Sequence, residues 1–127
     1  MVNEGEEAPD FELQSHDGGE VIRLSNYRGG RWVVLYFFPK AFTSGCTRET
    51  QEFARLWDEF EKLGVVVLGI STDSVSTQRK FAEKYGVKFK LLSDSEKRAS
   101  QAYGVLRPTG TAERTTFIIN PEARWPR

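Results

Sequence analysis

The sequence contains one cysteine, Cys46, and its position decides what chemistry it could perform. It falls at the start of a stretch with helical periodicity, in or just before the first turn. The first N–H groups of a helix have no partner within the helix, and the helix dipole places partial positive charge beside them. Both effects favour the thiolate, which is the nucleophilic form of cysteine. A lone cysteine is more often structural, so the evidence for catalysis is its position.

Residues upstream of Cys46 could take part in such chemistry. Thr43 can turn its hydroxyl toward the sulfur or a bound oxygen, although by itself it is more simply interpreted as a helix cap. Pro39 ends the preceding apolar run, because proline has no N–H for a strand ladder. Gly45 either permits a close backbone approach or turns the chain.

Other polar residues have simpler interpretations. Arg48 and Glu49 are expected to be solvated charges in the first turn of the helix. His16, the single histidine, is expected to be a surface residue of the opening hairpin and not a base or a ligand. With one cysteine and one histidine, the chain cannot build an ordinary zinc site.

Composition limits the partners and the compartment. The 127 residues are enough for a single domain over 1–127, and 18 Lys plus Arg balance 18 Asp plus Glu. This balance gives no reason to expect nucleic acid or an anionic membrane as a partner, so we expect a small ligand. No segment approaches the ~18 consecutive apolar residues of a membrane span. Residues 1–10 are acidic and do not resemble a signal peptide, and the lone cysteine suits the cytoplasm.

The elements that must position Cys46 alternate between strands and helices. Continuous apolar runs predict buried strands, spacings of three and four predict amphipathic helices, and Asp17-Gly18 predicts a hairpin turn. The predicted elements are a hairpin over 11–24, a strand over 32–38, a helix over 46–63, a strand over 65–70, a helix capped by Asp73 or Ser74 and ended by Gly86, a strand over 89–92, a short helix capped by Ser93 or Asp94 and ended by Gly104, and a strand over 115–119.

This order predicts an α/β fold with helices on both faces of a mixed central sheet, preceded by an N-terminal β-hairpin. In such sheets reactive groups gather where strands end and helices begin. The segment over 38–53 lies at such a junction.

The residues at this junction resemble a known active site. Pro39, Thr43 and Cys46 match the Pro-x-x-x-Thr-x-x-Cys motif of peroxiredoxins, and YFFPKAFTSGCTRE resembles the peroxiredoxin Q, or bacterioferritin comigratory protein, branch. Other segments agree in order, and they are Ala-Pro-Asp-Phe at 8–11, Gly-Ile-Ser at 69–71 with Asp73, Leu-Leu-Ser-Asp at 91–94, Tyr-Gly-Val at 103–105 and Arg-Thr-Thr-Phe-Ile at 114–118. The resemblance extends from about residue 5 to 122 and implies a thioredoxin-like fold.

The resemblance also implies roles for four residues. Cys46 corresponds to the cysteine that attacks the peroxide, Thr43 to the threonine that hydrogen-bonds it, and Pro39 to the proline that shields the site. Arg114 corresponds to the active-site arginine, whose fixed charge would stabilise the thiolate and the developing charge on oxygen. Without the resemblance Arg114 would be interpreted as a surface arginine, because no spacing rule links it to Cys46.

The implied activity is thiol-dependent reduction of hydrogen peroxide and organic hydroperoxides, without a metal or an organic cofactor. The product on Cys46 is a sulfenic acid, which a second thiol must reduce. Many members of the branch carry that thiol five residues later, where this chain has Gln51. The reductant is therefore expected from outside, as a small thiol, thioredoxin or glutaredoxin, and the sequence does not choose among them.

A second departure lies at the end of the sequence. Relatives continue into another strand and a helix, whereas this chain stops at Arg127. We expect an exposed sheet edge, with either reduced stability or coverage by a second copy, and both a monomer and a homodimer remain open.

These two departures support an alternative function. The chain could be a non-catalytic thioredoxin-fold binding or chaperone module. A thiol–disulfide oxidoreductase of the thioredoxin kind is disfavoured because there is no Cys-x-x-Cys.

Overall fold

The computed structural model describes residues 8–18, 20–27 and 29–121. The predictions about the acidic N-terminal residues before Ala8 and about the tail after Pro121 fall outside the described residues. No helix in the described part of the chain is both long and apolar enough to cross a membrane.

The strands form one mixed sheet, as predicted. They are β1 (Glu12–Ser15), β2 (Val21–Arg23), β3 (Val33–Phe37), β4 (Val66–Ser71), β5 (Lys90–Ser93) and β6 (Thr115–Ile119). Their order across the sheet is β2-β1-β5-β4-β3-β6. The strands β3, β4 and β5 are parallel, whereas β1 pairs antiparallel with β2 and β5, and β6 pairs antiparallel with β3.

The helices agree with the predicted ones, with one difference. They are α1 (Ser44–Arg55), α2 (Trp57–Lys62), α3 (Val75–Tyr85) and α4 (Arg98–Ala102). The predicted long helix is divided between α1 and α2 at Leu56, whose ψ of 3° departs from the helical value. Hydrogen bonds still run from Leu56 N–H to Glu52 O and from Phe60 N–H to Leu56 O, so the chain bends there without leaving the helical path.

The strand β3 is buried on both faces and separates two apolar cores. Leu35 and Phe37 belong to the core that contains Tyr103, just after α4. Tyr36 and the adjoining Phe38 belong to the core covered by α1, α2 and α3. Helices therefore cover both faces of the sheet, and the continuously apolar sequence of β3 follows from this double coverage.

Residues predicted as helix caps lie at the ends of α3 and at the start of α4. The Ser74 hydroxyl accepts a hydrogen bond from Thr77 N–H at 3.2 Å, and Gly86 ends α3 in the left-handed conformation with φ 62°. The Asp94 carboxylate accepts hydrogen bonds from the amides of Ala99 and Ser100 at 3.1 and 2.8 Å. Asp94 thus satisfies amides that begin α4.

The hairpin turns at Asp17-Gly18 as predicted, with Gly18 at φ 104°. The prediction of a surface role for His16 was wrong. His16 is half-buried, and its Nδ1 accepts a hydrogen bond from Leu91 N–H at 3.1 Å. The side chain is drawn inward because it extends the ladder between β1 and β5, where His16 N–H also donates to Leu91 O at 2.9 Å.

Candidate active site

The site begins where β3 leaves the sheet. Phe38 N–H donates to Ile70 O at 2.9 Å, which extends the pairing of β3 with β4 by one residue. Pro39 follows, is half-buried and cannot continue the ladder. The chain then crosses a short loop to α1, so the loop is anchored at one end by the most buried strand of the sheet.

Cys46 is the third residue of α1 and is fully buried, with 0% of its surface exposed. Thr47 N–H donates to Thr43 O at 2.8 Å, so the amides of Ser44, Gly45 and Cys46 precede the bonded part of the helix. The sulfur therefore lies in the positive end of a twelve-residue helix, as the sequence predicts.

Arg114 reaches Cys46 from the opposite side of the site. It directly precedes β6, and β6 lies beside β3 in the sheet, so the topology joins residues that are 68 positions apart. Its Nη2 lies 3.7 Å from Cys46 Sγ and donates to it. The guanidinium thus holds a permanent positive charge beside the sulfur.

Gly45 makes room for this arginine. A Cβ on Gly45 would lie 2.9 Å from Arg114 Nη1 and 3.0 Å from Cζ, so the guanidinium would have to shift to make room for it. Of the two roles considered for Gly45, the structure favours close approach, because the guanidinium lies against the backbone that precedes Cys46.

Thr43 precedes α1 as its N-cap residue, but its side chain makes no capping hydrogen bond. Its hydroxyl instead donates to Lys40 O at 2.9 Å. A hydroxyl whose hydrogen is engaged in this way still has lone pairs that can accept a hydrogen bond. Thr43 is exposed, so that acceptor is available to a small molecule.

Glu49 is the charged residue whose location differs most from its prediction. Its side chain is 22% exposed, and its Oε1 lies 3.9 Å from Arg114 Nε. Burial raises the pKa of the Glu49 carboxyl, and the neighbouring Arg114 partly offsets that effect. The residue follows Cys46 by almost one helical turn, which places both near Arg114, but only the location of Arg114 reveals this.

Asp73 also enters the site, although the sequence suggests it as a possible helix cap and as part of the family resemblance, not as a site residue. Its Oδ2 accepts a hydrogen bond from Ala41 N–H at 2.7 Å, within the loop that leads to Cys46. No sequence spacing links these two residues, because they are 32 positions apart and the contact depends on β3 and β4 being neighbours.

A cleft of about 370 Å³ lies beyond Arg114, on the outer side of α1. Its lining includes Glu49, Phe53, Leu56 and Arg114, but not Cys46. Within residues 8–18, 20–27 and 29–121, no three His, Cys, Asp or Glu residues come together as metal ligands could.

Comparisons with known proteins identify similar chains. The model of the AhpC/TSA family matches residues 4–124. A putative peroxiredoxin bcp from Coxiella burnetii is 41% identical over 99% of this chain and 89% of that protein.

Two solved structures have the same architecture. The peroxidoxin BcpB from Mycobacterium tuberculosis superposes with a TM-score of 0.85 at 38% identity, over 94% of this chain and 79% of that one. The bacterioferritin comigratory protein of Xanthomonas campestris, described for its alkyl peroxide reduction activity, superposes with a TM-score of 0.81 at 36% identity, over 88% and 74% of the two chains.

Proposed function

We propose a one-cysteine catalytic cycle for this chain, which belongs to the AhpC/TSA family and is a peroxiredoxin of the Bcp, or peroxiredoxin Q, branch. It is a thiol-dependent peroxidase with a thioredoxin-like fold. The relatives are named as peroxiredoxins, and this supports the peroxidase and not the alternative of a non-catalytic binding or chaperone module.

The hydrogen bond from Arg114 to Cys46 is the observation that carries the assignment of residues. The guanidinium and the amino end of α1 both favour the negatively charged sulfur, which is the form that attacks. The same donors stabilise negative charge that develops on oxygen as the O–O bond lengthens. Cys46 is therefore the nucleophile, and Arg114 is the electrostatic partner.

Thr43 orients the peroxide, and Pro39 keeps water from the sulfur. The Thr43 hydroxyl, which donates to Lys40 O, accepts the hydrogen bond from the peroxide O–H and so orients the terminal oxygen toward the sulfur. Pro39, half-buried above the end of β3, limits the entry of water to the sulfur.

The first step is a displacement at oxygen. The Cys46 thiolate bonds to the terminal peroxide oxygen, the O–O bond breaks, and the departing oxygen takes up a proton and leaves as water or an alcohol. The sulfur becomes a sulfenic acid. The substrates are hydrogen peroxide and organic hydroperoxides, consistent with the alkyl peroxide reduction described for the Xanthomonas campestris relative.

The second half of the cycle takes both thiols from outside, because the chain has no other cysteine. One thiol attacks the sulfenic acid, releases water and forms a mixed disulfide. A second thiol releases the Cys46 thiol and a disulfide of the reductant. Because Cys46 is fully buried, the residues around it must move for peroxide to reach the sulfur, and the first turn of α1 must open further before a larger thiol does.

The donor is a small thiol or a redoxin such as thioredoxin or glutaredoxin, and a reducing compartment such as the cytoplasm supplies it. The neutral charge balance supports a cycle without nucleic acid or a membrane surface. The cycle needs no metal or organic cofactor and works in either a monomer or a homodimer.

Peroxide consumption with dithiothreitol tests the cycle. We expect the wild-type protein to consume hydrogen peroxide and cumene hydroperoxide, and Cys46→Ser to proceed at the rate of buffer with dithiothreitol alone. Circular dichroism checks that the variant is folded. Equal rates for the two proteins would sink the assignment of Cys46, and separate runs with glutathione, glutaredoxin and thioredoxin systems identify the reductant.

A further inference from the structure

The loop between β3 and α1 is held by a side chain of a neighbouring strand end. Asp73 lies two residues after β4, and its Oδ2 accepts a hydrogen bond from Ala41 N–H at 2.7 Å. A hydrogen bond from an amide to a carboxylate is stronger than one to a neutral acceptor. Ala41 is buried and precedes Thr43 by two residues, so this contact fixes the backbone next to the peroxide site.

The carboxylate is itself held from the interior of the protein. Ser71 Oγ donates to the same Asp73 Oδ2 at 2.7 Å, and Gln78 Nε2 donates to that hydroxyl oxygen at 2.9 Å. Both Ser71 and Gln78 are fully buried. On the backbone side, Ser93 Oγ donates to Asp73 O at 2.6 Å. Asp73 is thus attached directly to β4 and β5, and through Ser71 to α3, so its position follows the sheet.

The loop needs such support because its backbone is unusual. Phe42 has φ 69°, in the left-handed region that residues with a side chain rarely adopt. Its ring packs against Phe81 at 5.1 Å and Tyr85 at 6.5 Å between ring centroids. A strained conformation persists only where its surroundings hold it, and here the amide before Phe42 and the ring of Phe42 are both held.

We propose that Asp73 is a positioning residue for the peroxidase reaction, which holds the loop at Ala41 so that Thr43 and the first turn of α1 stay in place around Cys46. Asp73 acts through the backbone, without contact with the peroxide or the sulfur. The kinetic part of this inference rests on the proposed function, whereas the attachment of the loop can be measured without turnover.

Three variants separate this role from a general effect on stability. Asp73→Ala removes the acceptor, and Asp73→Asn keeps an oxygen that can accept from Ala41 N–H. Ser74→Ala is the matched control, because it removes the cap of α3 at the next position without touching the loop. Each variant is measured for kcat/KM with hydrogen peroxide, for hydrogen exchange of the loop amides over 40–43, and for the alkylation rate of Cys46 by a maleimide under native conditions.

Asp73→Ala is expected to change two properties, because its activity falls while its loop becomes looser. Its kcat/KM falls roughly tenfold or more, because small displacements of reacting groups cost large factors in rate. Its loop amides exchange faster, and Cys46 becomes more accessible to the maleimide. Asp73→Asn restores most of both properties, and Ser74→Ala keeps the wild-type kcat/KM to within about twofold.

Wild-type loop exchange and alkylation in Asp73→Ala would overturn the proposed attachment, whatever the peroxidase assay shows. An equal loss of kcat/KM in Ser74→Ala and Asp73→Ala would reduce the role of Asp73 to stability. A failure of the proposed function itself has a different signature, since Cys46→Ser would then consume peroxide as fast as wild type.

Discussion

At the scale of single residues, the site depends on Gly45, which has no side chain, as well as on its charged residues. Arg114 contacts Cys46 because Gly45 leaves space over the first turn of α1. A positive charge is useful to a thiolate only at short range, since its effect weakens with distance and with intervening water. We therefore expect the glycine to contribute to catalysis through the distance between the guanidinium and the sulfur.

Substitution of this glycine should separate activity from stability. In Gly45→Ala the new Cβ displaces the guanidinium from Cys46 Sγ, and we expect kcat/KM for hydrogen peroxide to fall roughly ten- to a hundredfold. The free energy of unfolding should change by less than about 1 kcal/mol, because alanine is the better helix former. Stopped-flow kinetics and urea denaturation measure the two quantities.

Gly30→Ala is the matched control, since a Cβ there meets no atom within 4 Å. It should leave both quantities unchanged. A Gly45→Ala protein with wild-type kcat/KM would show that Arg114 does not need its present position.

The residues of the site differ in how far the sequence could reveal them. The location of Cys46 at a helix start follows from periodicity, and the structure confirms it. Arg114 could be identified only by resemblance, because its contact with Cys46 depends on the pairing of β6 with β3. Glu49 and Asp73 were missed as site residues, since their neighbours come from distant parts of the chain.

At the scale of elements, local signals predicted most of the fold. Apolar runs identified the inner strands, and Ser74 and Gly86 marked the ends of α3, because the chemistry of a strand or a helix end is local. The role of His16 could not be predicted in this way. Its hydrogen bond to Leu91 joins β1 to β5, and these strands are separated by most of the chain.

The His16 contact should make stability depend on pH. Burial lowers the pKa of His16 below its ordinary value of 6.5, with Asp17 opposing this effect. As pH falls through 6.5 the unfolded chain binds a proton that the folded protein resists, so stability is lost toward acid. The loss should be below about 1 kcal/mol, because the side chain is only half-buried.

His16→Asn tests this effect. The asparagine oxygen can accept the hydrogen bond from Leu91 N–H and does not titrate. We expect the wild type to lose more stability than the variant between pH 7 and about pH 5 in urea denaturation. Parallel stability curves over this range would contradict the role given to His16.

At the scale of the whole molecule, the β6 edge of the sheet has exposed apolar side chains near it. Among the described residues β6 bonds to β3 and lies at one edge of the sheet. Ile118 on that strand is 70% exposed, and Trp32, just before β3, is 48% exposed. Strand alternation places both side chains on the same face, since Ile118 pairs with Val34. An exposed edge strand with apolar side chains favours association between copies.

We therefore expect concentration-dependent association in sedimentation velocity. Ile118→Lys should weaken it and leave the peroxidase rate per subunit unchanged. Val21→Lys is the control, because Val21 is an exposed apolar residue on β2 at the opposite edge. A wild-type sedimentation coefficient that does not change with concentration would contradict this expectation.

Because β3 is buried on both faces, we expect local opening of the chain near Cys46 to stop at this strand. The strand contributes to both cores, so its hydrogen bonds should break only in global unfolding, whereas the proposed cycle requires the turn at the start of α1 to open. The stable strand and the turn that opens are separated by only a few residues, between Phe38 and Ser44. We therefore expect fluctuations that expose the sulfur to spread forward into α1 and not backward into the sheet, so that the active site can open repeatedly while the rest of the fold keeps its structure.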